Sequence, residues 1–231
     1  MLRSIIMGSA LLAVSLGISG CSSADDDTPA QEKTPKYELS ITNLTAGQPM
    51  APAIATLHSS DYTLFSLGKS ASVALETLAE GGDNSVLLAE AQATTNVDDV
   101  ASFGALLTPG SSLSVTLEGD DDYLSFAGML VNTNDGFVGL KSYHISHLEA
   151  GEVETLELVT YDAGTEANSE SAATVPAQGG EGFNTTRDDT NSMIRLHSGV
   201  VTQDDGLSSS ALTSIHKFDN PTAKLVIKRI Q

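Results

Sequence analysis

"YLSFAGMLVNTNDGFVGLKSYHIS" at residues 123–146 decides the fold. Its first part, 123–133, is apolar on both faces, the pattern of a strand in the middle of a sheet. Asn134-Asp135-Gly136 is turn chemistry, and 136–146 resumes as a second strand. Outward from this pair, "YELSITNL" (37–44) alternates, with Tyr37, Leu39 and Ile41 on one face, as a half-buried strand does. "SSLSVTLEG" (111–119), "VETLELVTY" (153–161) and "AKLVIKRI" (223–230) read as further strands. "AIATLHS" (53–59) and "YTLFSLG" (62–68) read as short strands or extended segments. "SASVALETLAEGGD" (70–83) and "DNSVLLAEAQAT" (83–94) carry Ser, Asp or Asn start signals, and the first also ends in Gly-Gly; both read as short helices. The stretch 162–205 is polar and weakly periodic, a long loop of the kind that is often functional or mobile. Many strands separated by turns indicate a mainly β fold, an antiparallel β-sandwich with one or two short helices inserted.

Thirty acidic residues against eleven basic ones give a net charge of −19. Nucleic acid needs basic patches, so this excess disfavours it and no nucleic-acid partner is expected. Such a charge attracts cations, and it also simply keeps a domain soluble. There is no Trp, and aromatics make up 5% of the chain, which argues against carbohydrate- or base-stacking surfaces.

The first residues, "MLRSIIMGSALLAVSLGISGC", run from Arg3 through an uncharged apolar stretch to small residues. That is the order of a secretory signal. The stretch 4–20 is short for a membrane span and is interrupted by Gly and Ser. Cys21 is the only cysteine, and Ile18-Ser19-Gly20-Cys21 resembles the lipobox of bacterial lipoproteins, with Ile where Leu is usual. The resemblance implies that Cys21 is acylated and that the membrane is a partner through this anchor. At ~0.8 kcal/mol per buried CH₂, two or three acyl chains hold essentially permanently. Ser22 in place of Asp implies sorting to the outer membrane. "SSADDDTPAQEKTP" after the cysteine reads as a tether. The expected organisation is a signal peptide over 1–20, a lipidated tether over 21–36 and a folded domain over 37–231.

Three carboxylates stand where strands end. Asp135 lies in the turn after the first apolar strand. Asp162, 27 residues further on, ends "LVTYD", and Ala163-Gly164-Thr165 turns the chain before Glu166. Carboxylates brought together repel and raise one another's pKa values. A calcium ion, with six to eight oxygen ligands, removes that conflict. Asn, Asp and Gly are equally ordinary turn formers, and spacing alone leaves both readings open.

The segments "YELSITNLTAGQPMAP", "LAEGGDNSVLL", "MLVNTNDGFVGL", "YDAGTEANSE" and "NPTAKLVIKRI" resemble, in order, the spondin domain of bacterial secreted proteins, a family related to F-spondin and mindin. The resemblance implies a C2-like sandwich that binds Ca²⁺ through Asp135, Asp162 and Glu166. Glu166 keeps an oxygen ligand with a longer reach than the family's Asp. Gly136 stands where the animal domains carry Trp, and no cysteine remains for their disulfides. Glu118 is the nearest further acidic candidate.

The five histidines are scattered. His144 and His147, three apart in a predicted strand, point to opposite faces, which disfavours a shared zinc ion. No nucleophile elbow, dinucleotide loop or P-loop is present. Met129 and Phe137 read as core. The expected function is a non-enzymatic, calcium-binding, cell-envelope lipoprotein serving adhesion or extracellular interaction. The alternative is an envelope-polymer-binding protein or a metal-assisted hydrolase.

Overall fold

A computed structural model describes residues 33–231, so the signal sequence, Cys21 and most of the tether lie outside the described residues. The elements are β1 (Lys36–Asn43), β2 (Ile54–His58), α1 (Val73–Gly81), α2 (Ser85–Gln92), β3 (Val97–Ser102), β4 (Ser112–Glu118), β5 (Tyr123–Met129), β6 (Gly136–His144), β7 (Val153–Asp162), β8 (Arg195–Leu196) and β9 (Ala223–Arg229). All strand pairs are antiparallel, in the order β3-β2-β5-β6-β7-β9-β1-β4, with β8 also on β7.

β7 makes the sandwich. Its first part, 153–158, pairs with β9, and its last part, 159–162, pairs with β6. One strand therefore belongs to two leaves, which fold face to face around it. Between them lies the main core: Tyr37, Leu39 and Ile41 of β1, Leu225 and Ile227 of β9, Leu124 and Phe126 of β5, and Val138 of β6. The alternation in 37–44 set this up, since every second side chain of β1 enters that core.

β5 is buried on both faces because α1 covers the other one. Ala127 and Met129 meet Leu75 and Leu78 of α1, together with Phe65 and Phe137. Ser72 starts the helix by accepting the Leu75 N–H (3.1 Å), and Gly82 ends it in the left-handed conformation. The segment 62–68 is not a strand. It is irregular chain that delivers Leu64 and Phe65 to this second core.

The end strands β3 and β4 do not pair by a backbone ladder. Carboxylates bridge them: Asp99 accepts the Glu118 N–H (2.9 Å), and Asp98 accepts those of Asp120 (2.7 Å) and Asp121 (2.9 Å). β3 was missed in the sequence because its two adjacent aspartates disguise a strand that uses them at an edge.

A bulge in β6 and the turn that follows its end set the facing of the histidines, which differs from the expected one. The β5–β6 register shifts between Leu124 and Phe126, and Ser142 takes φ 42°. Before the bulge, Val138 and Leu140 face the main core; after it, Tyr143 and Ile145 do. His144 is thereby turned outward. β6 ends there, and a turn closed by Leu148 N–H to Ile145 O (3.1 Å) brings His147 out on the same side. The two rings stack, with centres 6.2 Å apart, instead of pointing to opposite faces.

Buried side chains hold the bulge. The Ser142 N–H donates to Ser125 Oγ (2.9 Å), and that hydroxyl meets His58 Nε2 at 2.8 Å. His58 Nδ1 donates to the Ser59 carbonyl (2.8 Å), so Nε2 is the acceptor of the Ser125 hydroxyl. Ser125→Ala would leave the buried His58 Nε2 and the half-buried Ser142 N–H without this partner, at about 1–3 kcal/mol of stability. The expected result is a melting temperature lower by several degrees in a thermal scan; an unchanged midpoint would show that the bulge does not depend on this pair.

Candidate metal centre

The register of β6 and β7 places Gly136 opposite Asp162. This sets Asp135 beside the end of β7, and the Ala163 N–H closes the corner on the Asp135 carbonyl (3.2 Å). Thr133 shapes the β5–β6 turn: its hydroxyl donates to the Leu130 carbonyl (2.6 Å) and accepts the Gly136 N–H (2.9 Å). A Cβ at 136 would stand 2.6 Å from that hydroxyl, so this turn has no room for the larger residue of the animal domains. Gly164 is required by its φ of 70° and by the backbone of Met193, 2.5 Å from where a Cβ would be.

Asp135 is fully buried. Its Oδ2 accepts the Thr165 N–H (2.8 Å), the Thr165 hydroxyl (3.2 Å) and the Glu166 N–H (3.1 Å). Its Oδ1 has no hydrogen-bond partner among the described residues. Asp162 is differently placed. Oδ1 accepts the Gly164 N–H (2.8 Å), and Oδ2 accepts Asn168 Nδ2 (2.7 Å) and Arg195 Nη2 (2.8 Å). Arg195 also reaches Asp189 (2.7 Å).

Burial raises the pKa of all three carboxyls. For Asp135 the next cause is the charge of Asp162; for Asp162 the hydrogen bond from Asn168 and the nearby Arg195 act in the opposite direction. Glu166 is pushed up to about 8 by burial, then by Glu80 and Asp135. Glu80 lies buried on α1 and accepts the Asn184 N–H (3.0 Å). The three expected residues therefore meet at one corner. Among the described residues, however, no three acidic, histidine or cysteine groups already form an arrangement that could hold a metal ion. Glu80, Asp188 and Arg195 also belong to this corner and were not read from the sequence. For Glu80 the available signal was an acid four residues from Glu76 on a helix face carrying Leu75, Ala79 and other buried residues. Glu118, the further candidate, is elsewhere, paired with Lys36 at the surface (3.2 Å).

The polar stretch after β7 is tied down where it was expected to be a long, potentially mobile loop. Arg187 forms a two-pronged pair with buried Glu76 of α1 (2.8 and 2.6 Å). Glu170, at φ 56°, donates its N–H to Asn134 Oδ1 (3.2 Å) and accepts the Ala211 and Val201 N–H groups through its carbonyl and Oε1. Val175, Val200 and Leu212 form a small core of their own.

An antiparallel β-sandwich with a carboxylate-lined corner between a strand turn and a DAGT-type turn is the class these features define. The family model Spondin_N matches residues 44–192. The chain belongs to the spondin N-terminal domain family, and that membership points to an extracellular interaction module. β1 and β9, in the middle of one leaf, lie outside the matched span. No curated protein is a significant match to the chain. Among the described residues, no helix is long and apolar enough to cross a membrane.

Burial pushes Glu170 up to about 7. With a folded value above the ordinary one, its contribution to stability is complete below about pH 4 and is lost as pH rises through about 7. Glu170→Gln keeps an acceptor for Val201 and cannot ionise. The variant should melt close to wild type at pH 5 and higher than wild type at pH 8. Identical pH profiles in thermal melts would contradict a buried, titrating Glu170.

Proposed function

We propose that this protein is a calcium-dependent, non-enzymatic interaction module of the cell envelope, anchored through Cys21. One observation carries the calcium reading: Asp135 Oδ1, fully buried and without a partner among the described residues, in a corner that also gathers Asp162, Glu166 and Glu80. An unpaired buried carboxylate oxygen is costly, and each neighbouring negative charge adds to the cost. Asp135, Glu166 and Asp162 would hold the ion, whose charge would let all three stay ionised; hard oxygen donors of this kind suit calcium.

Asp162 is already half answered by Arg195. The guanidinium is a resident cation and a competitor for that carboxylate. Arg195→Gln should therefore tighten calcium binding, and weaker binding would make Arg195 a scaffold of the corner instead. Adhesion or contact with matrix is the work that fits an exported domain of this family. The anchor supports it by holding the domain at a surface. Cys21→Ser should abolish incorporation of a palmitate analogue in cells; equal labelling of the variant would sink the anchor.

The test of the site is isothermal calcium titration of wild type, Asp162→Asn and Asp121→Asn at two ionic strengths. Asp121 lies in the acidic β4–β5 connection and removes the same charge far from the corner. General attraction of cations is screened by salt and should fall slightly and equally in both variants. Specific coordination should weaken sharply in Asp162→Asn alone and persist at high salt. At a hundredfold excess over Kd, calcium should stabilise the wild type by about 2.7 kcal/mol, or roughly 5–10 °C for a domain of this size. Equal losses in the two variants would reduce the corner to turn chemistry.

A further inference from the structure

At the opposite end of the β6–β7 pair from the acidic corner, the bulge at Ser142 and the turn after β6 set His144 and His147 side by side on the surface. Their rings are close to parallel (16°), with centres 6.2 Å apart. Glu154, at the start of β7, reaches the same place: its Oε2 is 3.2 Å from His147 Nε2. Its other oxygen, Oε1, is fixed by the Tyr143 hydroxyl at 2.6 Å. Tyr123 packs edge-on against His144, with centres 5.2 Å apart.

We propose that His144, His147 and Glu154 form a second metal site, for a borderline transition-metal ion of the zinc class. Imidazole donors select zinc, copper, nickel or cobalt and do not suit calcium or magnesium. Two histidines and a carboxylate are a recurrent three-ligand set for zinc, with a fourth position left to water or to a group from outside. The carboxylate is already hydrogen-bonded by Tyr143, the kind of outer support that ligating carboxylates have.

The donors do not yet converge. His144 Nε2 faces Ser146 Oγ (3.0 Å), and His147 Nε2 faces Glu154. Zinc–nitrogen bonds of 2.0–2.1 Å in a tetrahedron put the two nitrogens about 3.3 Å apart and the ring centres roughly 5 Å apart. The rings must close by about 1 Å and turn their nitrogens to one point. Both residues are exposed, so rotation about their side-chain bonds is unobstructed by core packing. The backbone does not need to move, because Ile145 and Leu148 fix the turn in the main core. The net charge of −19 favours any cation approaching this surface.

This site is separate from the acidic corner. β6 has nine residues, so its ends stand roughly 25 Å apart. The two proposals can therefore fail independently.

The experiment is isothermal titration of untagged protein with ZnCl₂ in a millimolar excess of CaCl₂, which occupies hard-oxygen sites. One zinc ion per chain is expected. His144→Gln and His147→Gln should each weaken binding at least tenfold, and Glu154→Gln severalfold. Glu157→Gln, which removes an exposed carboxylate from the same strand, and Asp135→Asn should leave it unchanged. In the wild type, zinc should shift the ring-proton NMR signals of His144 and His147 and not that of His216. Absence of saturable binding would overturn the proposal. So would equal losses in the Glu157 or Asp135 variants, or unmoved His144 and His147 signals.

Discussion

The buried carboxylate of Asp135 joins the two turns on which this end of the sandwich depends. One oxygen gathers three donors from Thr165 and Glu166, which fixes the turn after β7 against the turn before β6. The other oxygen gathers none among the described residues. The first half of the group is thus a structural clamp and the second an unmet demand for positive charge. A clamp made by a neutral residue would hold the turns as well; the carboxylate adds a requirement that the chain does not itself meet.

The long segment from 163 to 222 is ordered around the same shortage of cations. With thirty acids and eleven bases, few positive groups are available inside. Arg187 is given to Glu76 and Arg195 to Asp162 and Asp189. Removing either arginine would leave a buried carboxylate uncompensated, which costs more than such a pair contributes when intact. Glu170 has no cation among the described residues and meets its burial by a raised pKa. The loop is therefore held by a few polar anchors and a three-residue apolar core. It lacks the periodic apolar pattern that would have made it legible.

Much of the architecture could be read from the chain because a two-residue repeat survives wherever a strand borders the main core. β1, β4, β7 and β9 show it, and β5 shows the doubly buried form because α1 lies on its far side. The failures have local causes. β3 hides behind Asp98 and Asp99, which serve its edge. Residues 62–68 are apolar for packing and not for pairing. His144 and His147 were placed on opposite faces because a strand was assumed to run straight on, whereas β6 ends at His144 and the turn after it brings His147 out on the same side. At the corner, Asp135, Asp162 and Glu166 were visible because they sit next to turns. Glu80 and Arg195 come from distant elements, and only the tertiary fold brings them there.

Crystals of the protein soaked in terbium, which replaces calcium and scatters anomalously, test the central claim most directly. An anomalous peak in direct contact with Asp135 Oδ1, with Glu166 turned toward it, is the predicted result. A well-ordered corner with no peak at Asp135, and terbium only on the acidic β4–β5 connection around Asp98, Asp120 and Asp121, would contradict it.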